Sequence, residues 1–247
     1  MNFLDIHETT ASKREPTTSQ WFLESSEYTR WLTGTSRNLF CEGIPGAGKT
    51  YLASLAIDDL RKKYLSPSAE ICVAWVYRDY AKRESQNATS NMCSILQQLV
   101  AGLNKIPQEI ACLYKPNTYR SPRARHLDLT ECRLAIIAVS KLYSQVFIVI
   151  DALDECHVKD GNRDDFVTEL KELPENTWLF TTCRQVPTIE VEFPDAVKMD
   201  ILAQGVDIEN YVSVRLKSDK GLAKLVKADN TPPSIIKNKV IERSGGM

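Results

Sequence analysis

The run Gly43-Ile44-Pro45-Gly46-Ala47-Gly48-Lys49-Thr50 constrains this chain more than any other stretch. It matches the pattern G-x-x-x-x-G-K-[ST], and each part has a physical task. Small residues let the backbone wrap closely around an anion, and successive N–H groups then point inward as a nest. A helix opening at the loop adds the positive end of its dipole. Lys49 brings a point charge to the β/γ-phosphate oxygens, and the Thr50 hydroxyl is a ligand for Mg²⁺. Such a loop needs a strand before it and a helix after it. Asn38–Glu42 reads as a short buried strand. Leu52, Leu55, Ala56, Leu60 and Tyr64 then recur at helical spacing over 50–64, with Asp58, Asp59, Arg61, Lys62 and Lys63 toward water.

Two further strands end in chemistry. Val146–Ile150 is wholly apolar and runs into Asp151-Ala152-Leu153-Asp154-Glu155. A magnesium nucleotide needs a carboxylate near the phosphate loop, and Asp151 is the first residue past the strand. Asp154 and Glu155 follow one turn on, where either can orient or deprotonate a water; the sequence does not choose between them. Trp178–Thr182 is followed by Cys183 and Arg184. Ligands of open parallel sheets sit at the carboxyl ends of strands, so Arg184 is a candidate to reach the γ-phosphate, against the alternative of a surface arginine paired with an acid.

The rest of the chain repeats this alternation. Ile71–Tyr77 is a strand apolar on both faces, and Ala196–Met199 a weaker one. One helix carries Ile95, Leu96, Leu99, Val100 and Leu103, and another spans 128–143. Continuous apolar strands alternating with helices belong to a parallel sheet covered on both faces. The expected fold is α/β, a three-layer P-loop NTPase sandwich. Residues 1–36 form a lead-in whose Trp21, Phe22, Tyr28, Trp31 and Leu32 share one face of a short helix. Residues 37–204 form the core. Residues 205–247 become helical and charged, broken at Pro232-Pro233, and read as the beginning of a helical subdomain, truncated.

Composition closes off other classes. With 43% hydrophobic and 26% charged residues over 247 positions, the chain has the make-up and length of a globular protein with a full core. A net charge of -1 gives no global basic field, so neither nucleic acid nor a membrane is an expected partner. No apolar run approaches the roughly 20 residues of a membrane span. The start, Met1-Asn2-Phe3-Leu4-Asp5, lacks a basic-then-apolar leader, so a cytoplasmic location is expected. Seven scattered cysteines without a C-x-x-C pair fit reduced thiols. The sequon at Asn87-Ala88-Thr89 then reads as chance. His7, His126 and His157 show no metal spacing, and Cys156-His157 lacks further ligands. Lys115, Arg120, Arg123, Arg125 and His126 read as a solvated basic loop.

The strand ends, taken in order, resemble the NACHT subgroup of STAND signalling ATPases, especially the large fungal NOD-like receptors. The residues that carry this are Leu39–Thr50, Asp151-Ala152-Leu153-Asp154-Glu155-Cys156 and Thr181-Thr182-Cys183-Arg184. Weaker matches lie at Gln20–Leu23, Trp31-Leu32 and Asp207–Val212. The resemblance implies a sheet ordered 5-1-4-3-2 and an ATP/ADP-controlled switch with Mg²⁺ and slow hydrolysis. It implies that Gly43, Ile44, Pro45, Gly46, Ala47, Gly48, Lys49, Thr50 and Tyr51 contact nucleotide. Thr50 and Asp151 would serve the metal, Arg184 would sense phosphate, and Asp154 or Glu155 would act in hydrolysis. It implies self-association in the active state, with effector and repeat domains in the full-length relatives. Two departures stand out. A Gly-Thr-Gly-like segment of the family reads Thr17-Thr18-Ser19 here, and the family continues into a winged helix and repeats where this chain reaches Met247. The resemblance implies adenine over guanine, and no N-K-x-D-type guanine motif is present; Val226-Lys227-Ala228-Asp229, the nearest, lacks the Asn. The alternatives are a non-catalytic interaction fragment that binds nucleotide poorly and a P-loop phosphotransferase.

Overall fold

β-branched and aromatic residues dominate three runs, and these pair with two shorter ones into one parallel sheet. The structure, a computed structural model, describes residues 3–34, 36–64, 70–79, 86–103, 127–155, 161–219 and 232–244, with isolated positions at 105, 106, 108, 111, 221, 222, 224 and 226. The strands are β1 (Asn38–Glu42), β2 (Ile71–Tyr77), β3 (Gln145–Asp151), β4 (Thr177–Cys183) and β5 (Val197–Asp200). They lie in the order β2-β3-β4-β1-β5, all parallel, which is the expected 5-1-4-3-2 read from the other edge. The register aligns Tyr77 with Asp151, Glu42 with Cys183, and Glu42 with Asp200. One edge of the sheet therefore collects the carboxyl ends of all five strands.

Helices cover both faces: α1 (Phe3–Lys13), α2 (Gln20–Leu23), α3 (Ser26–Leu32), α4 (Lys49–Tyr64), α5 (Ala88–Ala101), α6 (Leu129–Ser140), α7 (Asn162–Lys171), α8 (Pro187–Glu192), α9 (Gly205–Ser218) and α10 (Pro233–Ser244). Short polar side chains start several of them. Asn87 caps α5 by accepting from the Ser90 amide, which gives the sequon asparagine a structural use. Asp128 and Glu131 form a reciprocal capping box on α6. That helix ends at Ser140 rather than Tyr143, whose hydroxyl instead donates to the Leu99 carbonyl at 2.6 Å.

The lead-in departs from expectation. Its aromatics do not share one helix: the chain turns at Glu24 and Ser25, and the Ser25 side chain caps a second short helix. Phe22, Tyr28 and Trp31 still reach one place, fully buried, where Trp31 meets Phe147 edge-on at 5.3 Å and Phe22 meets Phe180 at 5.7 Å. Each such pair is worth about 1 kcal/mol beyond area burial. The two acids of α4 expected in water are engaged instead: Asp58 pairs with His7 and Arg14, and Asp59 accepts from Tyr28 Oη at 2.8 Å. Helices α1 and α7 were not foreseen.

Of the seven cysteines, Cys41, Cys72, Cys93, Cys132 and Cys183 lie among the described residues and are free thiols. The basic loop at 115–126, the pair Cys156-His157 and most of 226–229 lie outside the described residues. Among the described residues, no helix is long and apolar enough to cross a membrane.

Gly43 is where this packing is tightest. A Cβ there would stand 2.6 Å from the Ile201 carbonyl oxygen, because the Ile201 amide donates to Glu42 O at 2.5 Å and draws the two backbones together. Gly43→Ala should lower stability by about 2 kcal/mol, as overpacking does, measured by urea denaturation. Ser36→Ala, which removes a half-buried hydroxyl bonded to Asn38 and to the Asp195 carbonyl, should cost about half of that.

Candidate functional site

The phosphate loop folds as its glycines allow. Gly46 (φ 87°) and Gly48 (φ 91°) take left-handed backbone that other residues rarely adopt. The amides of Tyr51 and Leu52 turn back onto the Gly48 carbonyl, starting α4 directly from the loop. Lys49 Nζ donates to the carbonyls of Gly43 (2.6 Å) and Ile44 (2.9 Å). An ammonium has three donors, so a phosphate oxygen can be served while both carbonyl bonds persist. Burial lowers the Lys49 pKa, and the charges of Asp154 and Asp151 push it back up.

Asp151 ends β3 only 3% exposed. Thr182 Oγ1 donates to its Oδ1 at 2.6 Å and accepts from the Ala152 amide at 2.9 Å. Thr182 thereby holds Ala152 in a left-handed turn (φ 58°) that swings the next acids around. Burial pushes the Asp151 carboxyl up to about 6; hydrogen bonds from Thr182 and Thr50 oppose the rise, Glu155 adds to it, and Lys49 opposes it. Thr50 and Asp151 thus offer two hard oxygens side by side next to the loop, a donor set that fits Mg²⁺ with several retained waters.

Arg184 bridges both remaining acids. Its Nε lies 3.2 Å from Asp154 Oδ2, its Nη2 lies 3.6 Å from Glu155 Oε1, and its amide donates to Asp154 Oδ1 at 3.1 Å. The two acids differ in setting. Asp154 has its side chain 8% exposed and carries two of these contacts, whereas Glu155 is 25% exposed and lies at the longer distance from the guanidinium. Every sequence-predicted site residue therefore lies at the same sheet edge: Gly43 to Tyr51 on the loop, and Asp151, Asp154, Glu155 and Arg184 on the two neighbouring strand ends.

Beside the loop lies a cavity of about 510 Å³, largely apolar, reached past Gly46, Ala47, Gly48 and Tyr51. Arg14, Ser19 and Trp21 form a second wall, and Asp207 and Tyr211 of α9 a third. Asp207 Oδ2 accepts from the Ser19 amide at 2.9 Å and from Trp21 Nε1 at 3.0 Å. Ser19, just before α2, takes left-handed backbone at φ 66°. Sequence reasoning did not single out Thr182, Tyr77 or the Asp207 acceptor as site residues. Thr182 is one of three threonines in β4, and nothing local marks which of them meets Asp151; Asp207 acts across a separation of 186 residues from Trp21.

A Gly-rich loop after an interior strand of a five-stranded parallel sheet, with an acidic strand end two strands along, defines a nucleotide-binding P-loop module of the P-loop NTPase fold. The model of the family described as nephrocystin 3, N-terminal, matches residues 17–184, and the chain belongs to that family. No curated protein matches the chain. Among solved structures, the Aeropyrum pernix ORC1 protein in complex with DNA is 17% identical (TM-score 0.47), over 77% of this chain and 46% of that one. Cdc6p from Pyrobaculum aerophilum is 14% identical (TM-score 0.48), over 84% and 51%. A Walker-type ATPase of Pyrococcus abyssi is 11% identical (TM-score 0.49), over 88% and 61%. The chain spans about half the length of the first two.

The raised Asp151 pKa has a sign that can be checked. Protonation favours the folded chain at low pH, and that contribution is lost as pH rises through about 6. Asp151→Asn, which cannot ionise, should therefore raise the ligand-free Tm above wild type near pH 7.5, with the gap closing toward about pH 4. Mg²⁺ affinity in the presence of nucleotide should run the other way, strengthening in wild type from about pH 5 to 7 and staying weak in the variant.

Proposed function

We propose that this chain is a Mg²⁺-ATP/ADP-binding regulatory switch with slow hydrolysis, the nucleotide-binding oligomerisation module of a signalling protein of the NACHT, NOD-like type. The observation that carries this reading is the cavity that opens from the phosphate loop and is closed on its far side by α9. A nucleotide with its phosphates on the loop has its base and sugar in that cavity, touching the core, the lead-in and α9 together. Exchange of ADP for ATP then acts on the contact between α9 and the rest. The helical segment that carries α9 and α10 is the part that would move, and self-association follows when it does.

In this reading Lys49 and the loop amides bind the phosphates, and Thr50 and Asp151 hold Mg²⁺, which supplies charge neutralisation at the phosphates when bound. Arg184 senses the γ-phosphate. While its guanidinium is engaged by Asp154 and Glu155, neither acid is available as a base, which suits a slow hydrolase. Glu155, the more exposed of the two, orients the water; Asp154 holds Arg184.

Chromatography of nucleotide released on denaturing the purified protein tests the reading. ADP at one equivalent in wild type, and none in Lys49→Ala, is the expected result. A protein empty of nucleotide whose Tm also fails to rise with Mg²⁺-ATP would instead favour a non-catalytic interaction fragment. A binder gains about 2.7 kcal/mol at a hundredfold excess over Kd. Single-turnover hydrolysis then separates the acids: Glu155→Gln should slow it by about a hundredfold or more, and Asp154→Asn by less. Equal rates in both variants would show that neither acid takes part.

A further inference from the structure

Helix α1 precedes the stretch matched by the family model, which starts at residue 17. It nevertheless reaches toward the nucleotide site through one side chain. His7 is 2% exposed, and both its ring nitrogens are engaged: Nδ1 with Tyr77 Oη at 2.9 Å and Nε2 with Asp58 Oδ1 at 2.9 Å. Its ring lies 5.4 Å from that of Trp75 and is stacked on that of Tyr77 at 6.2 Å. A carboxylate only accepts, so Nε2 carries the hydrogen toward Asp58, and Nδ1 accepts from the Tyr77 hydroxyl in the neutral ring.

Both partners lead to the metal side of the site. Tyr77 is the register partner of Asp151 across β2 and β3, and the next amide, Arg78 N, donates to Asp151 O at 3.1 Å. Asp58 lies on α4 two turns beyond Thr50, with the fully buried Ser54 between them at the same four-residue spacing. Thr50 hydrogen-bonds Asp151 at one end of this polar stripe. At the other end, Asp58 also pairs with Arg14, which lines the cavity.

We propose that His7 is a positioning residue for the nucleotide site: by bridging Asp58 on the phosphate-loop helix and Tyr77 beside the metal carboxylate, it makes the seating of α1 a condition of tight Mg²⁺-nucleotide binding. The inference rests on the nucleotide reading above and adds its regulation. Whatever draws α1 away releases Asp58 and Tyr77 together, so the metal-bearing strand end and the loop helix lose a common anchor. A residue that merely filled space would affect folding, with no preference for the metal-bound state.

Calorimetric titration of the full chain with ADP, with and without Mg²⁺, tests this. His7→Leu keeps apolar bulk and removes both bonds; Tyr77→Phe removes one hydroxyl. In each, Mg²⁺-ADP affinity should fall about fivefold more than Mg²⁺-free ADP affinity, the worth of one hydrogen bond. The double variant should lose little more than either single one, because both cut the same bridge. A folded His7→Leu protein with the wild-type ratio of the two affinities overturns the inference and leaves the nucleotide reading standing. If His7→Leu does not fold, a wild-type ratio in Tyr77→Phe overturns it equally. A wild-type protein that binds no ADP overturns both.

Discussion

Asp151 stands almost dry at the end of an apolar strand, and an unpaired carboxylate in such a place costs several kcal/mol. The surroundings answer that cost one group at a time. Thr182 crosses from β4 to donate, Thr50 comes from the helix start, and the Lys49 charge lies near. The threonine that donates to Asp151 also receives the Ala152 amide, and so fixes the turn that carries Asp154 and Glu155. One buried charge thereby ties together β3, β4 and the phosphate-loop helix, the three pieces a metal-bound nucleotide needs in fixed relation.

What the sequence discloses and what it hides follow the range of the interactions involved. The loop, its strand and its helix are legible because each depends on neighbours within a few residues: glycines at positive φ, a strand of apolar residues, a helix with an apolar face. The strand ends are legible for the same reason. The sheet order came with the family resemblance and agrees with the pairing found. The break at Glu24 and Ser25 was missed because the aromatics there obey helical spacing, whereas the Ser25 cap decides the geometry.

Long-range polar contacts were the larger omission. Asp58 and Asp59 have charged neighbours in sequence and look solvated, yet α1 and Tyr28 claim them from 51 and 31 residues away. No local pattern distinguishes an acid facing water from an acid facing another element. Arg184 is the same problem in reverse. Both readings of it, sensor or partner of an acid, were open from the sequence. The geometry has it paired with two acids, and that pairing is compatible with a sensor that exchanges one anionic partner for another.

The attachment of α9 differs in kind from that of the other helices. It buries only Val212, packs mainly on α10, which has no buried residue among those described, and is fastened to the lead-in by Asp207 through one amide and one indole N–H. The sheet lends it almost no apolar area. Swinging it outward therefore exchanges two hydrogen bonds for water and leaves the aromatic core intact. In mechanical terms the molecule is a rigid frame with a door on a polar catch, and the force needed to open the door is independent of the strength of the frame.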